Sequence, residues 1–437
     1  MKEPYHFGIV GGGMTGMYLS SLMAEMGKRV TLIEGKEHLG GLADEWELSC
    51  YSAGRFYHVI LAADTLHLAL LEKLKLKERL QWVKAGTGFY IDGALYSISN
   101  TAEFLHFPPL GFMDKARLLF TAVAALQNGN DDENEIAVEW LKRVSGSKVT
   151  ERIWRPLLRA KFGDLHEQVS AAYMKAILRR MAGAANTGSK NRMFGFIVGG
   201  YRTVIDSFSR ALEALCVKLI VGQNICSIEK YGDEFHMQSC DGETITVDRV
   251  IVTVPPPMVP GLCRGLSDVE CSMLRGIRYN GIVCPSLLVR KELGNNYITN
   301  IADDSVPFTG IINMTALASS STWGGCSLIY LPRYISTDDP MLSCPDNEIR
   351  SLFIPPLQKI YPGMTSESIK CFQVSRAAHV FPVMTPEFGS IGPSPFTTVP
   401  GLYLVNSAQI SGGTHNINEA IRTAGKMLRI IIESDRK

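Results

Sequence analysis

Near the start of the chain, Gly11-Gly12-Gly13-Met14-Thr15-Gly16 carries three glycines at the spacing of a phosphate-binding turn. In such a turn Gly11 permits the tight bend, Gly13 lets bare backbone reach a pyrophosphate, and Gly16 allows the following helix to pack close to a strand. Met14 and Thr15 fall at the start of that helix, where free N–H groups and the positive dipole end favour an anion. Glu34 stands eighteen residues past Gly16. A carboxylate at that distance accepts hydrogen bonds from a ribose and disfavours a 2′-phosphate. Three further positions could act on a substrate. His58 follows Gly54-Arg55-Phe56-Tyr57, Arg376 lies in Val374-Ser375-Arg376-Ala377-Ala378-His379, and His415 follows Ser411-Gly412-Gly413-Thr414. A histidine at either place could move a proton or hydrogen-bond a ligand, and an arginine could hold an anionic group. Each has a plainer alternative: a turn-capping role for His58, an ion pair for Arg376 and a loop position for His415. Tyr57 is either a pocket wall or core, and core is the expectation. Arg155, Arg159 and Lys161 make either a basic pocket or a solvated helix face, and the solvated face is the expectation.

The elements that must position these groups are legible nearby. His6 to Val10 is an apolar strand leading into the glycine turn, a helix runs to about Met26, and Arg29-Val30-Thr31-Leu32-Ile33 is a second strand that delivers Glu34. A lone glycine fingerprint is weak evidence, but strand, turn, helix, strand and terminal acid together read as a Rossmann-type βαβ unit. Leu39-Gly40-Gly41-Leu42 then lets the chain pass close to a diphosphate. Leu219-Ile220-Val221, a hairpin over Ile225 to Asp241, and a strand over Val247 to Pro255 follow later in the chain. Near its end, the strand Gly401 to Asn406 leads through the Gly412-Gly413 turn into a helix from Ile417 to Glu433.

The sequence resembles the FAD-dependent amine-oxidase-type superfamily over nearly its whole length. The likeness is carried by the glycine turn with Glu34, by Gly54 to His58, by Trp154-Arg155-Pro156-Leu157-Leu158 with Lys161-Phe162-Gly163, by Gly199-Gly200-Tyr201 and by the C-terminal strand, turn and helix. Within that superfamily it is most similar to bacterial protoporphyrinogen-oxidase-like proteins, and also to phytoene desaturases and UDP-galactopyranose mutase. The resemblance implies noncovalent FAD. Gly11, Gly13, Met14, Thr15 and Gly16 with Gly40, Gly41 and Leu42 would hold the pyrophosphate, Glu34 the adenosine ribose and the Val221 backbone the adenine side. Asn406, Ser407, Gly413 and Thr414 would meet the flavin and its ribityl chain. Two departures stand out. Relatives carry arginines around the Gly40-Gly41 pair, where this chain has His38, Leu39 and Leu42. Relatives also end the C-terminal strand in Gly-Asp, where this chain has Asn406-Ser407, so that contact must use an amide or a hydroxyl.

The expected fold class is α/β, or α+β taken whole. A discontinuous Rossmann-like FAD-binding domain (residues 1–85, 196–258 and 390–437) would carry an inserted substrate domain of mixed sheet and helical lid (86–195 and 259–389). Gly88 to Ile91 and Ala94 to Ile98, joined by Asp92-Gly93, read as a hairpin. Helices are expected from Met113 to about Ala184, strands over Ser286 to Val289 and over Ser327 to Tyr330, a helix near Asp346 to Ile360, and exposed loops at 128–135 and 187–192. Leu118 to Leu126 reads as a core helix, with a membrane-surface patch as the alternative.

The 437 residues carry 44 Lys plus Arg against 43 Asp plus Glu, a balance that does not suit a nucleic-acid partner. Ten cysteines form no C-x-x-C pair and no metal-ligand cluster, so no metal site is expected and the thiols read as reduced, in a cytoplasmic protein. No apolar run reaches the length of a membrane span, and peripheral membrane contact stays open. There is no second glycine fingerprint for a nicotinamide cofactor. The leading expectation is an oxidoreductase (oxidase, dehydrogenase or desaturase) that moves a hydride from a C–N or C–C unit of a small organic substrate to flavin N5 and is reoxidised by dioxygen or a quinone. The rivals are a redox-neutral isomerase resembling UDP-galactopyranose mutase and a non-catalytic flavoprotein.

Overall fold

The computed structural model describes residues 5–127, 134–185, 193–386, 393–410 and 414–435. Most of the two expected loops, and Gly412 and Gly413 of the C-terminal turn, lie outside these ranges. A five-stranded parallel sheet runs in the order Leu402–Leu404, Arg249–Val252, His6–Val10, Arg29–Ile33, Lys218–Ile220. His6–Val10 lies between strands that come from opposite ends of the connectivity, with Ile9 level with Ile251 on one side and Leu32 on the other. This is a topological switch point, where a ligand crevice opens at the carboxyl ends of the strands.

Alternation along the strands feeds two cores. Phe7, Ile9, Val30, Leu32, Ile251 and Tyr403 face a helical layer made of Met14–Glu25, Thr65–Lys73, Gly200–Ala214 and Ile417–Asp435. Val10, Ile33, Val250, Val252 and Leu404 face a three-stranded antiparallel sheet of Ile225–Tyr231, Glu234–Ser239 and Thr244–Val247. Gly8 sits beneath that sheet because a Cβ there would come within 2.6 Å of the Met237 side chain. The strand expected over Val247 to Pro255 is in fact two strands in different sheets. Asp248 breaks it: its carboxylate accepts the His6 N–H at 2.6 Å and its own N–H donates to the His6 carbonyl.

The second sheet is mixed, with path Arg333–Ser336, Tyr279–Val289, Ser327–Tyr330, Gly310–Asn313, Asn296–Ile301, Gly86–Ile91, Ala94–Ser97. Tyr279–Val289 also pairs antiparallel with Ile369–Pro382 and is buried along its whole length. That 14-residue strand, which carries Arg376 and His379, went unread in the sequence. The helix Asp346–Ile360 covers one face of this sheet through Ile349, Phe353 and Leu357. Helices between Thr101 and Ala185 cover the end nearest the Gly86–Ile91 hairpin, around a core that includes Phe107, Trp140, Ile153 and Phe162.

Two expectations are corrected here. The helix Phe112–Leu126 is amphipathic, but the stretch expected in the core is largely outside it: Leu119, Phe120, Val123 and Leu126 are exposed, and the enclosed face carries Asp114, Lys115, Thr121 and Ala125. Cys226 and Cys240 are joined in a disulfide, because the hairpin brings their Cα atoms to 5.3 Å. The remaining cysteines are free thiols, with Cys263, Cys284 and Cys326 buried. No helix among the described residues is long and apolar enough to cross a membrane.

The helical segment is tied to the parallel-sheet unit by one enclosed ion pair. Arg180 on Ala171–Ala185 grips both oxygens of Asp64 at 2.9 and 3.1 Å, and Asp64 also accepts the Leu61 N–H. Asp64 is almost wholly buried, so removing its cation strands a charge. Arg180→Met is expected to lower unfolding free energy by about 2–3 kcal/mol. Arg155→Met, whose partners Glu151 and Glu167 are exposed, should cost under about 1 kcal/mol. Urea unfolding of the two variants checks the contrast, and equal losses would contradict it.

Candidate dinucleotide site and adjoining cavity

The glycine turn is fixed by contacts that leave no room for side chains. Gly11 has φ of 110°, in the region that favours glycine. A Cβ on Gly16 would lie 2.0 Å from the Gly11 carbonyl oxygen, so helix and turn touch backbone to backbone. The second glycine pair lies directly against the first: the Gly40 N–H donates to the Gly12 carbonyl at 2.9 Å, and Gly13 and Gly40 form a parallel bridge. Gly13 itself opens the helix Met14–Glu25 with no side-chain cap, and a Cβ there would meet only the Gly41 Cα, at 3.9 Å. Gly13 thus faces open space at the helix N-terminus, where Met14 and Thr15 present their amides.

Glu34 emerges at the end of Arg29–Ile33. Its carboxylate accepts the N–H groups of Gly12 at 2.7 Å and Lys36 at 3.0 Å, which aims it at the glycine turn. The neighbouring wall is zipped to it: the Gln223 N–H donates to the Glu34 carbonyl and the Gly222 N–H to the Lys36 carbonyl, leaving Val221 exposed beside them. Leu42 contributes its carbonyl, which accepts the Nε2–H of His58 at 2.9 Å. A carbonyl can only accept, so His58 carries its proton on Nε2. Burial lowers the pKa of His58, with the Leu42 bond working against it.

The C-terminal strand brings a second set. Asn406 caps the turn that follows it by accepting the Ala408 N–H, and its backbone N–H is held by the Gln409 side chain. Its Nδ2 is buried and has no hydrogen-bond partner among the described residues. Ser407 shares a 2.8 Å hydrogen bond with the Tyr279 hydroxyl, and Thr414 Oγ1 accepts from Asn416 Nδ2. His415 is caged between Phe381, stacked at 5.8 Å, and Tyr173 at 5.9 Å, with both ring nitrogens buried. Burial, and next Lys161, push its pKa down to about 3, against a contact with the Ser407 backbone. A buried polar atom left unmatched is costly and calls for a partner. Open backbone at Gly13, an acid placed for a ribose, and the unmatched donor at Asn406 fit an extended dinucleotide cofactor. Gly413, expected on its path, lies outside the described residues.

Arg376 is engaged elsewhere. Its guanidinium pairs with Asp346 at 2.8 Å and donates to the Cys344 carbonyl, pinning Ile369–Pro382 to the helix Asp346–Ile360. It lines neither cavity described here, so the ion-pair alternative is the arrangement found. His379 packs its ring on Tyr279. Of the three basic residues after Trp154, Arg155 and Arg159 face acids on the surface, Arg159 pairing with Asp304. Lys161 is the exception to the expected solvated face: it turns inward, over the rings of Tyr173 and Phe381 at 5.5 and 5.4 Å, and burial lowers its pKa. The signal was present in Leu157, Leu158, Lys161 and Phe162, which repeat at helical spacing on one side.

Lys161 opens into a cavity of about 880 Å³ between the helical segment and the mixed sheet. Tyr57 and Tyr334 stand at the same end, their hydroxyls 3.0 Å apart. Tyr57 therefore forms a cavity wall as well as packing in the core. A smaller cavity of about 200 Å³ shares Tyr57 and is lined by His58, Tyr201, Trp323 and Tyr330. Among the described residues no group of three His, Cys, Asp or Glu side chains is placed to hold a metal.

Two predictions follow from this geometry. Gly13→Val should unfold thermally like cofactor-free wild type while flavin absorbance per chain falls about tenfold or more, whereas Gly16→Val should fail to fold. Retained flavin in Gly13→Val would contradict the cradle. His415 and His67, the latter lowered to about 4 by burial, bind protons later in the folded than in the unfolded chain, whose imidazoles titrate near 6.5. Stability should therefore be fully present above pH 6.5 and fall as pH drops towards 4. Replacing His67 by Phe should flatten that slope in pH-dependent urea titrations, and an unchanged slope would rule His67 out as its source.

The comparisons with known proteins agree with this geometry. The chain resembles the solved structure of a candidate protoporphyrinogen oxidase from Exiguobacterium sp. 255-15 (17% identity, TM-score 0.76, 99% of each chain covered). It also resembles putrescine oxidase bound to putrescine (15%, 0.70, 98% of this chain and 99% of that one) and reduced UDP-galactopyranose mutase (14%, 0.75, 98% and 94%). At these identities the likeness concerns the fold. No protein of curated function matches the chain. The family profile described as flavin containing amine oxidoreductase matches residues 14–426, and the chain belongs to that family.

Proposed function

We propose that this chain is an FAD-dependent oxidoreductase that oxidises an organic substrate at a C–N or C–C unit. In this reading residues 1–85, 196–258 and 390–437 carry the cofactor, and residues 86–195 and 259–389 enclose the substrate. The observation that carries it is one of adjacency. The buried His415 sits on the same Phe381 and Tyr173 rings that Lys161 covers, and Lys161 opens into the large cavity. The cofactor crevice and the substrate space thus meet at one place. When bound, FAD supplies two-electron redox chemistry, accepting a hydride at N5 and passing electrons to dioxygen or a quinone.

The chain's own residues do the rest. Gly11 to Gly16 and Gly40 to Leu42 bind the pyrophosphate through backbone, and Glu34 orients the ribose. Asn406 Nδ2, fixed by the cap its side chain forms, offers an amide donor, and the Ser407 hydroxyl stands where relatives carry the acid. The Tyr57 and Tyr334 hydroxyls share one hydrogen bond, and burial raises both pKa values, so the pair stays neutral and its free O–H can donate a hydrogen bond to a substrate. The aromatic and aliphatic walls exclude water from the reacting atoms.

Anaerobic titration tests the reaction class. A panel of amines, porphyrinogens and polyenes should contain members that bleach the flavin with saturable rates, and Tyr57→Phe should slow the bleaching about tenfold or more while retaining flavin. Failure of the whole panel, with flavin bound, would count against an oxidoreductase. Turnover only after prior dithionite reduction, with no acceptor consumed, would favour the isomerase instead.

A further inference from the structure

The large cavity has a composition that selects among substrates. Its volume of about 880 Å³ stands near the top of the roughly 300–1,000 Å³ range of small-molecule sites. Its walls are mainly aromatic and aliphatic, with Phe89, Phe107, Trp154, Leu158, Leu178 and Ile312 among them, and its neutral polar groups include Thr87, Asn100, Asn300 and Thr309. No Asp or Glu lines it among the described residues, and its one charged lining group is Lys161. A diamine would find no counter-ion here and would be repelled by that ammonium. A sugar nucleotide would have one cation for two phosphates.

Lys161 is itself unmatched. Among the described residues its ammonium has no carboxylate partner, only ring faces, and its neighbours at the cavity end are the Tyr57 and Tyr334 hydroxyls. A cation enclosed without a counter-ion is unfavourable until an anion joins it. Leu105, Leu119 and Met181 line the cavity and are also exposed, as are Asn100 and Thr101, and the helix Phe112–Leu126 extends the apolar part of this rim with Phe112, Phe120 and Val123. An apolar chain can cross such a rim along its leucine and methionine side chains.

We propose that the cavity takes an anionic amphiphile, with its long apolar body between the helical segment and the mixed sheet and its acidic end on Lys161 beside Tyr57 and Tyr334. The proposal names the substrate class for the site read above as catalytic. It depends on that reading only for the claim that the bound molecule reacts.

Calorimetric titration of the flavin-loaded protein with three ligands of one chain length, each below its micelle concentration, tests it. Dodecanoate should bind saturably, dodecanol about tenfold more weakly and dodecylammonium more weakly still. Lys161→Met should abolish the difference between dodecanoate and dodecanol, and Lys161→Arg should restore it. Leu158→Trp, which fills the cavity, should weaken both ligands while leaving flavin content unchanged. Dodecylammonium binding as tightly as dodecanoate, or no saturable binding to flavin-loaded protein, would overturn the proposal, and the wild-type series decides this even where a variant does not fold. Flavin measured in the same samples separates the two readings: head-group preference in protein that cannot be loaded with FAD would support the amphiphile site and contradict the cofactor assignment.

Discussion

Two glycine turns in this molecule approach each other with no side chain between them, and that contact sets the positions of the surrounding elements. The Gly12 carbonyl receives the Gly40 N–H at 2.9 Å, and Gly16 backs directly onto Gly11. A methyl group on Gly12 would strike Leu39, and one on Gly40 would strike Ile205 of the helix Gly200–Ala214. The turn after the first strand, the segment after the second and a helix almost 200 residues away are therefore registered by sterics alone. Because Gly12 also donates to Glu34, the acid that would take the ribose is set by the same contact.

A second constraint concerns charge. Asp64 and Arg180 neutralise each other where the helical segment meets the parallel-sheet unit, so the join is made without a stranded ion. Lys161 lies on the same segment and has no such partner, although Tyr334 and two ring faces soften its burial. Among the described residues Lys161 has no carboxylate partner and Asn406 Nδ2 no hydrogen-bond partner. Arg376 is engaged by Asp346 and the Cys344 carbonyl and holds a long strand against its helix.

Local rules made the N-terminal unit legible. The strands His6–Val10 and Arg29–Ile33, the helix between them and the position of Glu34 follow from period, glycine spacing and one acid. Non-local partners hid the rest. Asp248 ends a strand because His6 takes both its backbone and its carboxylate, a pairing across 242 positions. Ile369–Pro382 is a strand because Tyr279–Val289 offers it an edge. Cys226 and Cys240 carry no spacing motif, and only the register of their hairpin brings them together. Lys161 sat among basic residues that read as a surface, and its inward turn is visible only against the apolar neighbours of its own helix. Leu119, Phe120 and Val123 looked like core by composition and are exposed because the helix buries a different face, carrying Asp114, Lys115, Thr121 and Ala125.

The claim on which the account rests is that the paired glycine turns, Glu34 and Asn406 hold FAD despite leucines where relatives carry arginines. The absorbance spectrum of the purified chain, followed by heat release of the chromophore and its mass, tests this most directly. The account predicts flavin bands and free FAD in the supernatant. A colourless protein that cannot be reconstituted with FAD would contradict it.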